Sequence, residues 1–183
     1  MTMIKLETDR LILRQWQDSD LAAFAKMSSD PEVMRYFPNT LSLEQSDALA
    51  EKIRGKIQNS GYGFWAVEIE ETADFAGFCG LNIPDPQLPF GPSVEIGWRL
   101  AKHFWKWGYA TEAATAAINY GFKELSLSEI VSFTVPSNVP SQNVMKRLGF
   151  QFDTTFEHPA LPHGHPLREH VLYRLPKTQW FGQ

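Results

Sequence analysis

The stretch "VEIGWRLAKHFWKWGYATEAATAAINYGF", Val94 to Phe122, decides how this chain is built. Its first seven residues read as a strand. From Tyr109 onward, Ala110, Ala113, Ala114, Ala117, Ile118, Gly121 and Phe122 recur at helical spacing. The first N–H groups of a helix have no partner within it and lie at the positive end of its dipole, so a loop ending at Gly108 can hold a phosphate with backbone alone. Small residues at 110, 113, 114 and 117 let the helix lie close to a sheet, which fixes the direction of those donors. Taken alone, an alanine-rich helix after a strand is more often the start of an ordinary packed helix.

Working outward, "EIVSFTV" (129–135) is a further strand, and the strand–helix–strand unit implies a parallel pair with a right-handed crossover. "NVPSQNVMKRLGF" is a short helix with Pro140 in its first turn, Lys146 and Arg147 in its last, and Gly149 just beyond. Upstream, "GFWAVEIE" and "DFAGFCGLNI" form an antiparallel hairpin and "RLILR" a first strand. Downstream, "FQFDTTFEH" and "LREHVLYRL" are two more strands around the loop "PALPHGHP". Helices are expected over Asp18 to Ser28 and Ser42 to Asn59, with a short one at "DPEVMRYF", where Asp30 caps and Pro31 takes the first position. The prolines of "PDPQLPFGP" keep that segment out of the sheet. Seven strands and flanking helices result, in a mixed, mostly antiparallel sheet.

With 183 residues, 43% of them hydrophobic, the chain supports one sizeable core and one domain over 1–183. Lys and Arg number 17 against 21 acidic residues, and a net charge of −4 argues against a nucleic-acid groove or an anionic membrane surface. The single cysteine, Cys79, excludes an internal disulfide and suits the cytoplasm. Lys5, Glu7, Asp9 and Arg10 interrupt any signal-peptide core, and no run is long enough to span a bilayer.

In order and spacing, "VEIGWRL", "GYATEAATAAINYGF" and "VPSNVPSQNVMKRLGF" resemble the GCN5-related N-acetyltransferase superfamily, and within it the ribosomal-protein N-terminal acetyltransferase branch; "LETDRLILR" and "DPEVMRYF" extend the likeness through nearly the whole chain. The resemblance implies an α/β (α+β) acyl-CoA N-acyltransferase fold in which the strand Val94 to Leu100 is splayed from Glu129 to Val135, with acetyl-CoA as cosubstrate between them. Its pantetheine arm would pair with the backbone of Ile96, Gly97, Trp98, Arg99 and Leu100. Its pyrophosphate would meet the amides of Lys106, Trp107, Gly108, Tyr109, Ala110 and Thr111, with Asn138 beside the pantetheine and Ser141 and Asn143 near the cofactor. Gly108 and Ala110 match the family's cofactor loop, whereas Trp105 stands where glutamine or arginine is usual and Lys106 replaces a common glycine.

Acetyl transfer to an amine needs a base, a polarised carbonyl and a proton for the leaving sulfur. Glu95, on the strand beside the thioester, is the first candidate for the base, against the alternative of a structural ion pair; Glu157 and His158 rank second. Arg99 shares its strand face but lies about 13 Å along the strand from Glu95. Many family members place a tyrosine acid where this chain has Met145, so the nearby hydroxyl of Ser141 is the candidate acid, against the more common alternative of local bonding in the first helical turn, with water as a substitute proton donor. A backbone N–H between Ile96 and Trp98 is expected to polarise the carbonyl, exposed by a bulge at Gly97. His163 and His165 lack the further ligands of a metal site, and none is expected. The tryptophans pack the sheet or frame the cleft, and Cys79 is a small core residue. The acceptor is a primary amine, on a protein N-terminus or a small molecule, bound by the helices of 18–59 and the loop 159–166; the rival reading is a non-catalytic acyl-CoA-binding module. A monomer and a homodimer are both compatible with the sequence.

Overall fold

The computed structural model describes residues 4–182. Eight strands form one sheet: β1 (Leu6–Glu7), β2 (Leu11–Arg14), β3 (Phe64–Ile69), β4 (Phe75–Asn82), β5 (Glu95–Leu100), β6 (Glu129–Thr134), β7 (Gln151–Glu157) and β8 (Glu169–Pro176), in the order β1-β2-β3-β4-β5-β6-β8-β7. Every neighbouring pair is antiparallel except β5 and β6. The strand beyond the expected seven is β1. Thr8 folds the chain back there: its N–H donates to Leu11 O at 3.0 Å and its Oγ1 accepts the Leu11 N–H at 2.9 Å, splitting "LETDRLILR" into a hairpin.

The helices are α1 (Leu21–Ser28), α2 (Leu43–Ser60), α3 (Tyr109–Lys123), α4 (Val139–Arg147) and a one-turn α5 (Lys177–Trp180). Ser42 caps α2 in a reciprocal box with Gln45, and Gly61 ends it in the left-handed conformation at φ 78°. The expected helix at "DPEVMRYF" does not form. Met34 N–H reaches Asp30 O at 3.0 Å, but Phe37 N–H tightens onto Met34 O at 2.9 Å and Pro38 follows, so the segment is a run of turns. Val33 and Met34 are buried by these turns.

Alternation along β4 sorts the layers. Phe78 packs on Phe24 of α1, with ring centroids 6.1 Å apart, whereas Leu81 on the opposite face meets α3 at Gly121. A Cβ on Gly121 would stand 2.9 Å from Leu81 Cδ1 and 3.1 Å from Ile130 Cδ1, so glycine there sets how closely helix and sheet approach. Ala113, Ala114, Ala117, Ile118 and Phe122 have no accessible surface, as the small-residue face predicts. Cys79 is a buried core residue whose thiol is pushed up by burial. The proline-rich loop lays Phe90 against Phe133 and Phe156, at 5.5 and 5.3 Å between centroids, forming a second, smaller apolar cluster.

No bulge occurs at Gly97, which pairs in register with Gly80; the sheet's irregularities fall between Val67 and Glu68 and between Phe152 and Thr154. The constraint lies at Gly80, where a Cβ would stand 1.9 Å from Gly63 O. Because backbone cannot rotate away as a side chain can, Gly80→Ala is expected to destabilise the protein by roughly 2–3 kcal/mol. Urea unfolding reads this as a lowered midpoint, and an unchanged midpoint would show that the Gly63 turn yields freely.

Candidate active site

β5 and β6 share one paired position, Glu95↔Val131, where the Val131 N–H donates to Val94 O at 2.9 Å. One residue further the Ser132 hydroxyl, 2% exposed, donates to Ile96 O at 3.1 Å in place of a backbone contact. Beyond that the strands diverge. An antiparallel strand turns alternate residues' N–H and C=O groups to alternate sides. Ala101 N–H faces β4, donating to Ala76 O at 2.9 Å, while Leu100 O faces away and accepts the Trp105 indole N–H at 2.8 Å. The same alternation turns the Trp98 N–H and C=O toward β6, where the ladder has ended. Trp105, unusual in its loop, thus closes the strand edge at the far end of an open stretch.

The divergence opens a cleft of about 750 Å³. Along it lie β5, the loop and first turn of α3 (Lys106, Gly108, Tyr109, Ala110 and Thr111), the end of β6, and Asn138, Ser141, Asn143 and Met145 of the α4 region. Trp107 stands outside it, 63% exposed, and borders a second depression with Lys106, Gly108, Thr111, Glu112 and Arg147. Gly108 is the N-cap of α3 at φ 83°, and Glu112 N–H makes the first intrahelical bond, to Gly108 O at 3.0 Å. The N–H groups of residues 109–111 therefore precede the helical ladder and are free to meet an anion. Arg147 of α4, donating to Thr111 Oγ1 at 3.3 Å, and Lys106 bring cations to the same corner. These groups fit an acyl-CoA: an open strand edge for amides, then a helix start and two cations for phosphates.

One face of β5 carries Glu95, Gly97 and Arg99. Asn82, directly opposite on β4, donates its Nδ2–H to Glu95 Oε1 at 2.6 Å and accepts from Lys56 Nζ at 2.7 Å. Burial raises the Glu95 carboxyl above the ordinary range, and the Asn82 hydrogen bond and Lys56 charge only partly oppose it. Its Oε2 has no hydrogen-bond partner among the described residues. Glu95 is therefore not half of an ion pair with Arg99.

The second-rank carboxylate, Glu157, is outside the cleft lining and is bound to Arg168 Nε at 2.8 Å, which holds its carboxyl below the ordinary range. It is also the nearest carboxylate to the loop histidines, 3.8 Å from His163 Nδ1. His158 does line the cleft, but its Nδ1 accepts the Ala160 N–H at 3.3 Å, so the neutral ring carries its proton on Nε2 and offers a donor there. Burial lowers both His158 and His170, whose rings lie 5.0 Å apart. Asn138 caps α4 through Oδ1, 3.3 Å from Ser141 N, and donates to Thr134 Oγ1 at 2.9 Å. The Ser141 hydroxyl makes no hydrogen bond among the described residues and faces the cleft, while Met145 is buried.

Sequence reasoning missed the partners that set this geometry: Asn82 and Lys56 behind Glu95, Arg147 at the phosphate corner, and Glu112 at the start of α3. Glu112 accepts Thr8 Oγ1–H at 2.6 Å, Arg10 N–H at 2.9 Å and Arg10 Nε–H at 2.8 Å, tying α3 to the β1–β2 turn. An acid in a helix's first turn was the only local signal. Burial pushes the Glu112 carboxyl up, but these hydrogen bonds outweigh it and leave it below the ordinary carboxylate range. A depressed carboxyl stabilises the fold above its unfolded value and loses that contribution as pH falls through its folded value. Glu112→Ala is expected to cost roughly 1–3 kcal/mol at pH 7, and its deficit against the unmodified protein should shrink as pH falls through and below the ordinary carboxylate range. Denaturant melts at pH 7 and pH 3 check this, and a pH-independent deficit would contradict it. Gly108→Val forces a β-branched residue toward positive φ and should weaken acetyl-CoA binding at least about tenfold, with a stability loss near 1–2 kcal/mol. Calorimetry beside denaturant melts reads both, and a stability loss with unchanged acetyl-CoA affinity would mark Gly108 as an ordinary packing residue.

The model of the acetyltransferase (GNAT) domain family matches residues 10–151. A Bacillus subtilis protein named as an uncharacterized N-acetyltransferase, YnaD, is 31% identical over 176 residues, covering 96% of this chain and 98% of that protein. The crystal structure of a GNAT-family acetyltransferase from Bacillus anthracis superposes with a TM-score of 0.80 at 26% identity, over 95% of this chain and 99% of that one. Mycobacterium smegmatis RimJ, solved with CoA-disulfide, shares the fold at TM-score 0.72 and 19% identity, over 91% and 81%. With the match across most of its length and the splayed strand pair beside an anion-ready helix start, this chain belongs to the GNAT acetyltransferase family and is an acetyl-CoA-dependent acyltransferase.

Proposed function

We propose that the protein transfers the acetyl group of acetyl-CoA directly to a primary amine, with Glu95 as general base. The observation that carries this is Glu95 itself. It is a cleft-lining carboxyl with a raised pKa, held through Oε1 by Asn82 and free at Oε2, on the one strand whose edge opens beside it. Acetyl-CoA supplies the activated acyl group and a thiol leaving group.

The chain's own residues account for the remaining tasks. The strand edge from Ile96 to Leu100 binds the pantetheine amides, flanked by Asn138 and Asn143, and the start of α3 with Lys106 and Arg147 binds the phosphates. The Trp98 N–H, turned into the gap, polarises the acyl carbonyl. Glu95 Oε2 takes the proton of the attacking amine, directly or through one water, and its raised pKa narrows the gap to that of the amine. Ser141, directly or through water, returns a proton to the leaving sulfur. YnaD is named as an N-acetyltransferase, which supports an amine as acceptor.

Glu95→Gln is expected to lower kcat/KM by about 10²–10⁴-fold while acetyl-CoA still raises the melting temperature. CoA release from a panel of primary amines and peptide N-termini reads the first and a thermal-shift titration the second. Retained turnover in the variant removes Glu95 from the role, and a protein that binds acetyl-CoA but acetylates no amine supports the binding-module reading instead. Because the base works deprotonated, activity rises with pH through the Glu95 pKa. Asn82→Ala removes the interaction that holds this pKa down and should move that acid limb to higher pH.

A further inference from the structure

Arg99 is a charged group in the cleft that the chemistry above leaves without work, as are Arg35 and Glu32, the latter paired with Lys102. The Nε and Nη1 of Arg99 are buried and have no hydrogen-bond partner, and no carboxylate lies within ion-pair distance of it among the described residues. By contrast, Arg10, Arg14, Arg54, Arg168 and Arg174 are each paired with a carboxylate. The Arg99 guanidinium lies 4.2 Å from the Phe37 ring centroid and 5.2 Å from that of Phe78. Both rings lie within cation–π distance, and with Nε and Nη1 enclosed, Nη2 is the guanidinium nitrogen left to meet a ligand. Burying a cation without a counter-charge is costly, so the arrangement awaits an anion.

The position says whose anion. Arg99 and Glu95 stand on the same face of β5, both lining the cleft, with Gly97 between them. A Cβ at Gly97 would be 3.1 Å from the Phe64 ring, so the floor between the two charged residues is flat and apolar. Phosphates are expected at the far corner, around Lys106 and Arg147, which leaves Arg99 facing the acceptor side. Burial pulls the guanidinium pKa down to about 10, and it stays protonated at neutral pH.

We propose that Arg99 binds a carboxylate on the acceptor, so that the amine acetylated at Glu95 belongs to an amino-carboxylate. This rests on the acceptor amine being the one that Glu95 deprotonates. The Nη2 N–H groups suit a carboxylate as charge-assisted donors. The four-residue separation of Glu95 and Arg99, about 13 Å between their Cα atoms, favours an amine and carboxylate more than one carbon apart.

The test measures binding to the protein saturated with free CoA, by calorimetry, so that it does not depend on turnover. One arm uses ω-aminoalkanoates of two to six carbons against their carboxamides. The other uses short peptide amides with Glu against Gln as second residue, which separates a small-molecule carboxylate from a protein one. Carboxylates should bind about tenfold or more tighter than matched amides in at least one arm. Arg99→Gln, measured on the variant likewise saturated with CoA, should bring that ratio to near one, and Arg99→Lys should restore part of it. Equal binding of the matched pairs in both arms, or a preference that survives Arg99→Gln, overturns the proposal. CoA release with the same compounds reports separately on acetyl transfer, so a failure of the Glu95 reading is distinguishable from a failure of this one.

Discussion

β5 and β6 pair at Glu95↔Val131 and then part, and the architecture of the site follows from that parting. A parallel pair kept in register would have consumed the Trp98 N–H and C=O in its own ladder. Ser132 makes the separation tolerable by giving its hydroxyl to Ile96 O, and Trp105 does the same at the other end by giving its indole N–H to Leu100 O. Both devices satisfy carbonyls at the margins and leave the middle open. The cleft is thus a planned gap in a hydrogen-bond ladder, lined with backbone that a ligand's amides can complete.

A gap of that kind is useful only if the groups around it hold still. The buried face of α3 packs against the sheet at Gly121, and Glu112 fastens the start of the helix to Thr8 and Arg10, more than a hundred residues earlier in the chain. The same principle operates at Glu95, where the Lys56–Asn82–Glu95 chain orients the carboxyl from behind. Fixed donors near a reacting centre cost no reorganisation during the reaction. Arg99 is the exception, a buried charge near two aromatic rings with no hydrogen-bond partner for Nε or Nη1, and that contrast points to the acceptor.

Most of the fold was legible because it depends on local pattern. The helical spacing from Ala110 to Phe122, the helix over Ser42 to Asn59, and the strand before Gly108 all follow from period and terminal residues. Three expectations failed where tertiary context decided. "DPEVMRYF" carries good helix-start residues, yet burial of Val33 and Met34 and the following Pro38 tighten it into turns. Gly97 suggested a bulge, but the close approach belongs to Gly80 on the neighbouring strand. β1 was hidden because two residues carry no periodicity. Of the site, Glu95, Gly108 and Ser141 were named from their place in motifs, whereas Asn82, Lys56, Glu112 and Arg147 reach it by side chains from elements far apart in sequence. Such partners have no spacing to read.

The central claim is that the β5 edge is open at Trp98 and that acetyl-CoA closes it. Residue-resolved amide hydrogen exchange, with and without acetyl-CoA, tests it most directly. The Trp98 amide should exchange quickly in the free protein and become protected when acetyl-CoA binds, together with the amides of residues 109–111, while the Ala101 amide bonded to Ala76 stays protected throughout. A Trp98 amide already protected in the free protein, or protection by acetyl-CoA that spares Trp98 and the start of α3, would contradict the account.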